Sequence, residues 1–115
     1  MDTSTTLPFS IDIDNQNIIL ERGETAEVLL QFNIPNVLLG EGEVSASLNK
    51  SSTASSSDLI ITSEYTVLNS LVGDSQSYLV QITAGEDALS DTHKVLLGAF
   101  DDEISVSKFI TVTIV

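Results

Sequence analysis

Residues 104–115, ISVSKFITVTIV, constrain the fold more tightly than any other stretch of this chain. Ile104, Val106, Lys108, Ile110, Val112 and Ile114 occupy one parity, and Ser105, Ser107, Thr111 and Thr113 the other. Side chains two apart on an extended backbone share a face, so the pattern is that of a strand with one dry and one wet side. Lys108 interrupts the inward row and Phe109 the outward one, which predicts a bulge or a change of sheet there, with the Lys stem snorkelling outward. Shorter rows of the same period recur upstream: Phe9, Ile11, Ile13; Ala26, Val28, Leu30, Phe32; Val44, Ala46, Leu48; Tyr78, Val80, Ile82; and His93, Val95, Leu97, Ala99.

Turn-forming segments separate these rows. ERGE at 21–24, NIPN at 33–36, LGEGE at 39–43, the Ser-rich KSSTASSSD at 50–58, VGDSQS, TAGEDALSDT and FDDE all carry residues that favour bends. No 3.6-residue stripe lasts three turns, and PNVLLGEG supplies one short helical turn at most. The reading is all-β, with seven to eight strands near 8–14, 17–20, 25–34, 42–49, 58–67, 77–83, 92–100 and 103–115. Two packed sheets bury so many half-apolar strands better than one, giving an antiparallel β-sandwich. The expected division is a flexible leader over residues 1–7 and one domain over 8–115.

NIILERGETAEVLLQFNIP resembles the opening of the immunoglobulin-like modules of bacterial and archaeal surface proteins: a strand, an RGE turn and a second alternating strand leading to Asn. LVQITAGEDALSDTHKVLLGAFDDEISVSKFITVTIV is similar to their ending, a polar bend, a strand, a hairpin and a Thr/Val-rich last strand. The centre from about 50 to 76 matches poorly. The resemblance implies an immunoglobulin-like sandwich and brings no catalytic residues with it. The cysteine pair and core Trp of antibody domains are both absent from this sequence. In tandem modules the last strand runs into the next domain, so an ending in mid-alternation at Val115 reads as a piece of a longer protein, against a natural terminus tied into a sheet.

Composition narrows the partners. Seventeen Asp and Glu against four Lys and Arg give a net charge of −13, spread along the chain. That field repels nucleic acid phosphates and anionic bilayers, and no apolar run approaches the roughly 20 residues of a membrane span. The partners expected are proteins or neighbouring domains of the same chain, with self-association among them; no nucleic acid and no membrane insertion by this segment is expected.

Catalysis and cofactors find little footing. His93, beside Asp91 and Thr92, is the one imidazole, and a strand start near the sandwich end is its natural use. No catalytic residue and no cofactor is assigned. Calcium is the one chemical candidate, through Asp101, Asp102 and Glu103 in a hairpin or Glu86, Asp87 and Asp91 in a bend, with Asp12, Asp14 and Asn15 a further oxygen cluster. Val37, Leu38 and Leu39 either plug the core or form a contact patch, and Asn49 heads an Asn-Lys-Ser acceptor for glycosylation on a loop. Lys50, Lys94 and Lys108 are candidates for blunting sheet edges.

Three functions are consistent with this pattern. The preferred one is a noncatalytic extracellular module, a spacer or adhesion unit of a larger surface or secreted protein. The others are the soluble sandwich of an archaeal pilus or motility-filament component, which would self-associate or bind the cell envelope, and a carbohydrate-binding accessory domain. Four Phe, two Tyr and no Trp count against the last, leaving Tyr65 and Tyr78 as its contributors.

Overall fold

A computed structural model describes residues 9–35 and 42–115 of the chain. Nine strands are present among them: β1 (Ser10–Ile13), β2 (Asn17–Leu20), β3 (Thr25–Asn33), β4 (Glu43–Ser52), β5 (Leu59–Ser63), β6 (Val67–Leu71), β7 (Ser75–Ala84), β8 (Asp91–Phe100) and β9 (Ser105–Ile114). They form a four-stranded sheet in the order β1-β3-β7-β5 and a five-stranded sheet in the order β2-β9-β8-β4-β6. The protein is an all-β sandwich. The strand count exceeds the seven to eight expected, and β2 lies parallel to β9, so the second sheet is mixed.

Reading the chain order against the sheet order, every connection crosses between sheets except the hairpin joining β8 to β9. The rows expected to face inward do so. Val28, Leu30, Phe32, Val80, Ile82, Val95, Leu97, Ala99, Ile110 and Val112 are all fully buried. Phe9 packs on Phe32 at 5.4 Å between ring centroids. Burying large aliphatic side chains stabilises by about 1.5–3 kcal/mol each, which makes this aliphatic slab the main source of stability.

Turns deliver the strands into it. Gly23 (φ 78°) and Gly73 (φ 80°) occupy the left-handed region that side-chain-bearing residues avoid. Gly23 donates its N–H to Ala84 O at 2.9 Å, and Gly73 to Ile34 O at 3.0 Å, so each turn is also tied to a neighbouring strand.

Three expectations are corrected. The β8–β9 register runs without interruption from Asp91↔Ile114 to Phe100↔Ser105, so there is no bulge at Lys108. Lys108 keeps its inward parity because β2 covers β9 only from Thr111 onward, leaving an open seam through which the amine reaches Asp12 Oδ1 at 3.4 Å. Second, β4 extends through Ser52, because its pairing with β8 continues to Ser52↔Val95 and is followed by Thr53 N–H donating to Lys94 O. Third, 58–67 is not one strand: β5 ends at Ser63 in the four-stranded sheet, and β6 is a separate strand of the other sheet.

The Lys108–Asp12 pair has side chains 42% and 61% exposed, where solvent screens the attraction. Lys108→Met is therefore expected to change unfolding free energy by less than about 1 kcal/mol in chemical denaturation; a larger loss would make this pair a structural necessity.

Candidate functional site

Tyr78 holds the inward parity of β7, between the sheets. Its hydroxyl accepts the Asn69 backbone N–H at 2.8 Å and donates to Asn69 O at 2.8 Å. One phenol thus clamps β6, an edge strand of the five-stranded sheet, to β7 of the four-stranded one. Tyr65, in the connection between β5 and β6, meets the Tyr78 ring edge-on at 5.1 Å and 74°. Tyr65 is 49% exposed, so the buried phenol supports an accessible one.

Beside this pair lies a cleft of about 190 Å³ lined by Thr62, Ser63, Glu64, Tyr65, Leu79 and Gln81. Thr62 and Gln81 come from paired positions of β5 and β7 on the outer face of the four-stranded sheet. The wall combines an aromatic surface and Leu79 with a carboxylate, an amide and hydroxyls. Such a wall suits a small ligand with one apolar face and several hydroxyls. The sequence named both tyrosines but gave no sign that they touch, since they stand on different elements thirteen positions apart.

The other candidate residues serve the fold or stay apart. Asp101 Oδ1 accepts the N–H groups of Glu103 at 2.8 Å and Ile104 at 2.9 Å, closing the β8–β9 hairpin, while Asp102 and Glu103 face solvent. Asp91 Oδ1 accepts from Thr92 N–H at 2.7 Å, and Glu86 and Asp87 sit in the exposed 85–88 turn. Among the described residues no three carboxylates or imidazoles are grouped to hold a metal ion. Asp12 Oδ2 accepts from Asn33 Nδ2 at 2.8 Å, Asp14 Oδ1 from Leu29 N–H at 3.0 Å, and Asn15 Oδ1 from Asn17 N–H at 3.1 Å. This oxygen cluster steers the chain from β1 in one sheet to β2 in the other.

His93 faces inward at the start of β8, half-buried, with Nε2 lacking a partner. The Asp91 carboxylate turns to the backbone instead of orienting it. Asn49 lies within β4, opposite Gly98, and not on a loop as expected, because the β4–β8 ladder runs past it. Lys94 belongs to an interior strand and lies 5.7 Å from the Phe109 ring centroid, so it blunts no edge. Lys50 stands beyond the last β4–β6 pair, on open edge. Val37, Leu38 and Leu39 lie outside the described residues.

No family model matches the sequence, and no curated protein matches it. The fold, by contrast, is similar to part of a family 123 glycoside hydrolase from Clostridium perfringens, with a TM-score of 0.66 and 10% identity. The match covers 93% of this chain and 27% of that one. At such identity the likeness establishes the sandwich and nothing further about activity.

Tyr78→Phe removes the oxygen from both Asn69 hydrogen bonds and leaves a partly buried N–H and C=O unpaired, a loss of about 1–3 kcal/mol. Chemical denaturation should show that loss, with faster hydrogen exchange at the Asn69 amide. An unchanged midpoint and unchanged exchange would mean that the clamp holds nothing.

Proposed function

We propose that this chain acts as a noncatalytic module of a larger surface or secreted protein, an in-line spacer or adhesion unit of the bacterial and archaeal immunoglobulin-like kind. The observation that carries the reading is strand polarity. β2 runs parallel to β9, with Asn17 opposite Thr111 and Leu20 opposite Ile114. β1 runs antiparallel to β3, and the Glu21–Glu24 turn reverses β2 into β3, so β1 and β2 point the same way. The chain therefore enters beside the β8–β9 hairpin and leaves at the opposite end of the sandwich. Tension along such a module loads the β2–β9 pair in shear, where Thr111 N–H to Gln16 O (2.8 Å) and Val115 N–H to Leu20 O (2.9 Å) share the load. The acidic, Ser- and Thr-rich composition fits a solvent-facing setting.

Forced unfolding reports an activation barrier and depends on pulling geometry. Pulling from the two chain ends should require a higher force than pulling through anchors at Ser90 and Val115, which peels β9 off β8 one pair at a time. Equal forces in the two geometries would remove the ground for the spacer reading.

The Tyr65 cleft favours a second reading, a carbohydrate-binding accessory module. Its support is the exposed ring backed by Tyr78 and flanked by Glu64 and Gln81. A sugar ring would stack its apolar face on Tyr65 and direct hydroxyls to Glu64, Gln81 and Thr62. Titrating a panel of monosaccharides against the chain should shift the NMR signals of Leu79 and Gln81, and Tyr65→Ala should abolish the shifts. Silence across the panel, or shifts that survive Tyr65→Ala, would leave this reading without support.

A further inference from the structure

We propose that the outer face of the five-stranded sheet is a self-association surface that takes a second copy of this chain, face to face. The two outer faces of the sandwich differ in charge. Across the four-stranded sheet, Asp12 pairs beside Gln31 and Glu27 beside Gln81, placing carboxylates on the outer face itself. Across the five-stranded sheet the outward rows are Leu71–Glu43, Asn69–Ser45, Val67–Ser47–Phe100–Ser105, Asn49–Gly98–Ser107, Ser51–Leu96–Phe109, Lys94–Thr111–Asn17 and Thr92–Thr113–Ile19. Glu43, in the end row, is the one carboxylate among them. Among the described residues the carboxylates near this face stand at its rim, at Glu43 and in the 101–103 hairpin.

For a chain of net charge −13 this is an unusual distribution, because two copies repel wherever their carboxylates approach. This face is the place where they meet without that cost. It also carries more exposed large apolar side chains: Ile19 is 70% exposed, Phe109 59%, Leu71 55%, Val67 47% and Phe100 40%, against Ile60 at 45%, Leu29 at 44% and Leu79 at 40% on the other face. Phe109 and Leu96 form a cross-strand pair at its centre, and the side-chain-free Gly98 keeps the middle row low. Apolar side chains set among Ser, Thr and Asn, with charge excluded to the rim, is the anatomy of an interface core.

Area and edges point to the same occupant. Three strands of about 10 residues and two of about 4–5, spaced about 4.8 Å apart, present roughly 600 Å² of projected area. A pair of such faces buries about 1,200 Å², which reaches the range of specific interfaces. Edge-to-edge pairing is interrupted, since each edge is divided between a short strand, β1, β2, β5 or β6 at 4, 4, 5 and 5 residues, and the uncovered part of its longer neighbour. A face meeting its own copy through a two-fold axis gives a closed dimer.

The oligomeric state of the full chain tests this. Sedimentation velocity at about 100 μM should find mostly dimer, and Phe109→Glu should raise the dimer dissociation constant at least about tenfold. Leu79→Glu, equally a surface substitution but on the opposite sheet, should leave it unchanged. Added salt should tighten the dimer by screening the repulsion between like-charged copies. A monomer at that concentration, a dimer indifferent to Phe109→Glu, equal dissociation by Leu79→Glu, or weakening by salt would each overturn the proposal. Should Phe109→Glu fail to fold, Ile19→Glu, at a position 70% exposed, repeats the test with the same expected outcomes.

Discussion

The inward rows of the two sheets can be dried only together. Because all connections but the β8–β9 hairpin carry the chain from one sheet to the other, neither sheet exists as a continuous stretch of sequence. β3 finds its partner β7 more than forty residues away, and β2 finds β9 at the far end of the chain. Loop closure must precede almost every stabilising contact, so folding is expected to be cooperative and slow for the chain's size. The same interleaving explains why small devices matter at the seams. Asp12, Asp14 and Asn15 commit their oxygens to guiding one sheet change, and the Tyr78 hydroxyl bridges another.

How much of this the residues disclose depends on whether polarity and parity agree. In β3, β7 and β9 the buried positions are apolar and the outward ones mostly polar, so period two reads directly as strand and face. In β6 they conflict. Val67 and Leu71 face solvent while Ser70 is buried, its hydroxyl satisfied by Leu71 O, and VLNSL therefore shows no alternation of apolar residues. What makes it a strand is tertiary: pairing with β4 and the Tyr78 clamp. Lys108 misled in the opposite sense. A charge at an inward position reads as a break in the strand, but an edge strand that covers only part of its neighbour lets the amine out without one.

Candidate sites were less legible than the fold because they depend on which loops converge. Acidic clusters are conspicuous in a chain with seventeen carboxylates, yet several of those oxygens are taken up by nearby backbone N–H groups, as at Asp14, Asp91 and Asp101. The serines that follow Asn49 read as a loop, because serine on an open strand edge looks the same in sequence as serine in a loop. Tyr65 and Tyr78 were singled out for their chemistry alone; their contact follows from the jump between sheets after β5.

The separation of features over the surface makes the proposed roles compatible. The Tyr65 cleft opens at the β5 margin of the four-stranded sheet, whereas the face with its carboxylates confined to the rim belongs to the other sheet. Pairing through that face would leave the cleft open on both copies. A module of this design can bear load along its strands, pair through one broad side and present a small polar-aromatic hollow on the other. Keeping the aliphatic core free of polar chemistry is what lets these surface features vary independently, since outward positions on a pleated sheet change without disturbing the rows beneath them.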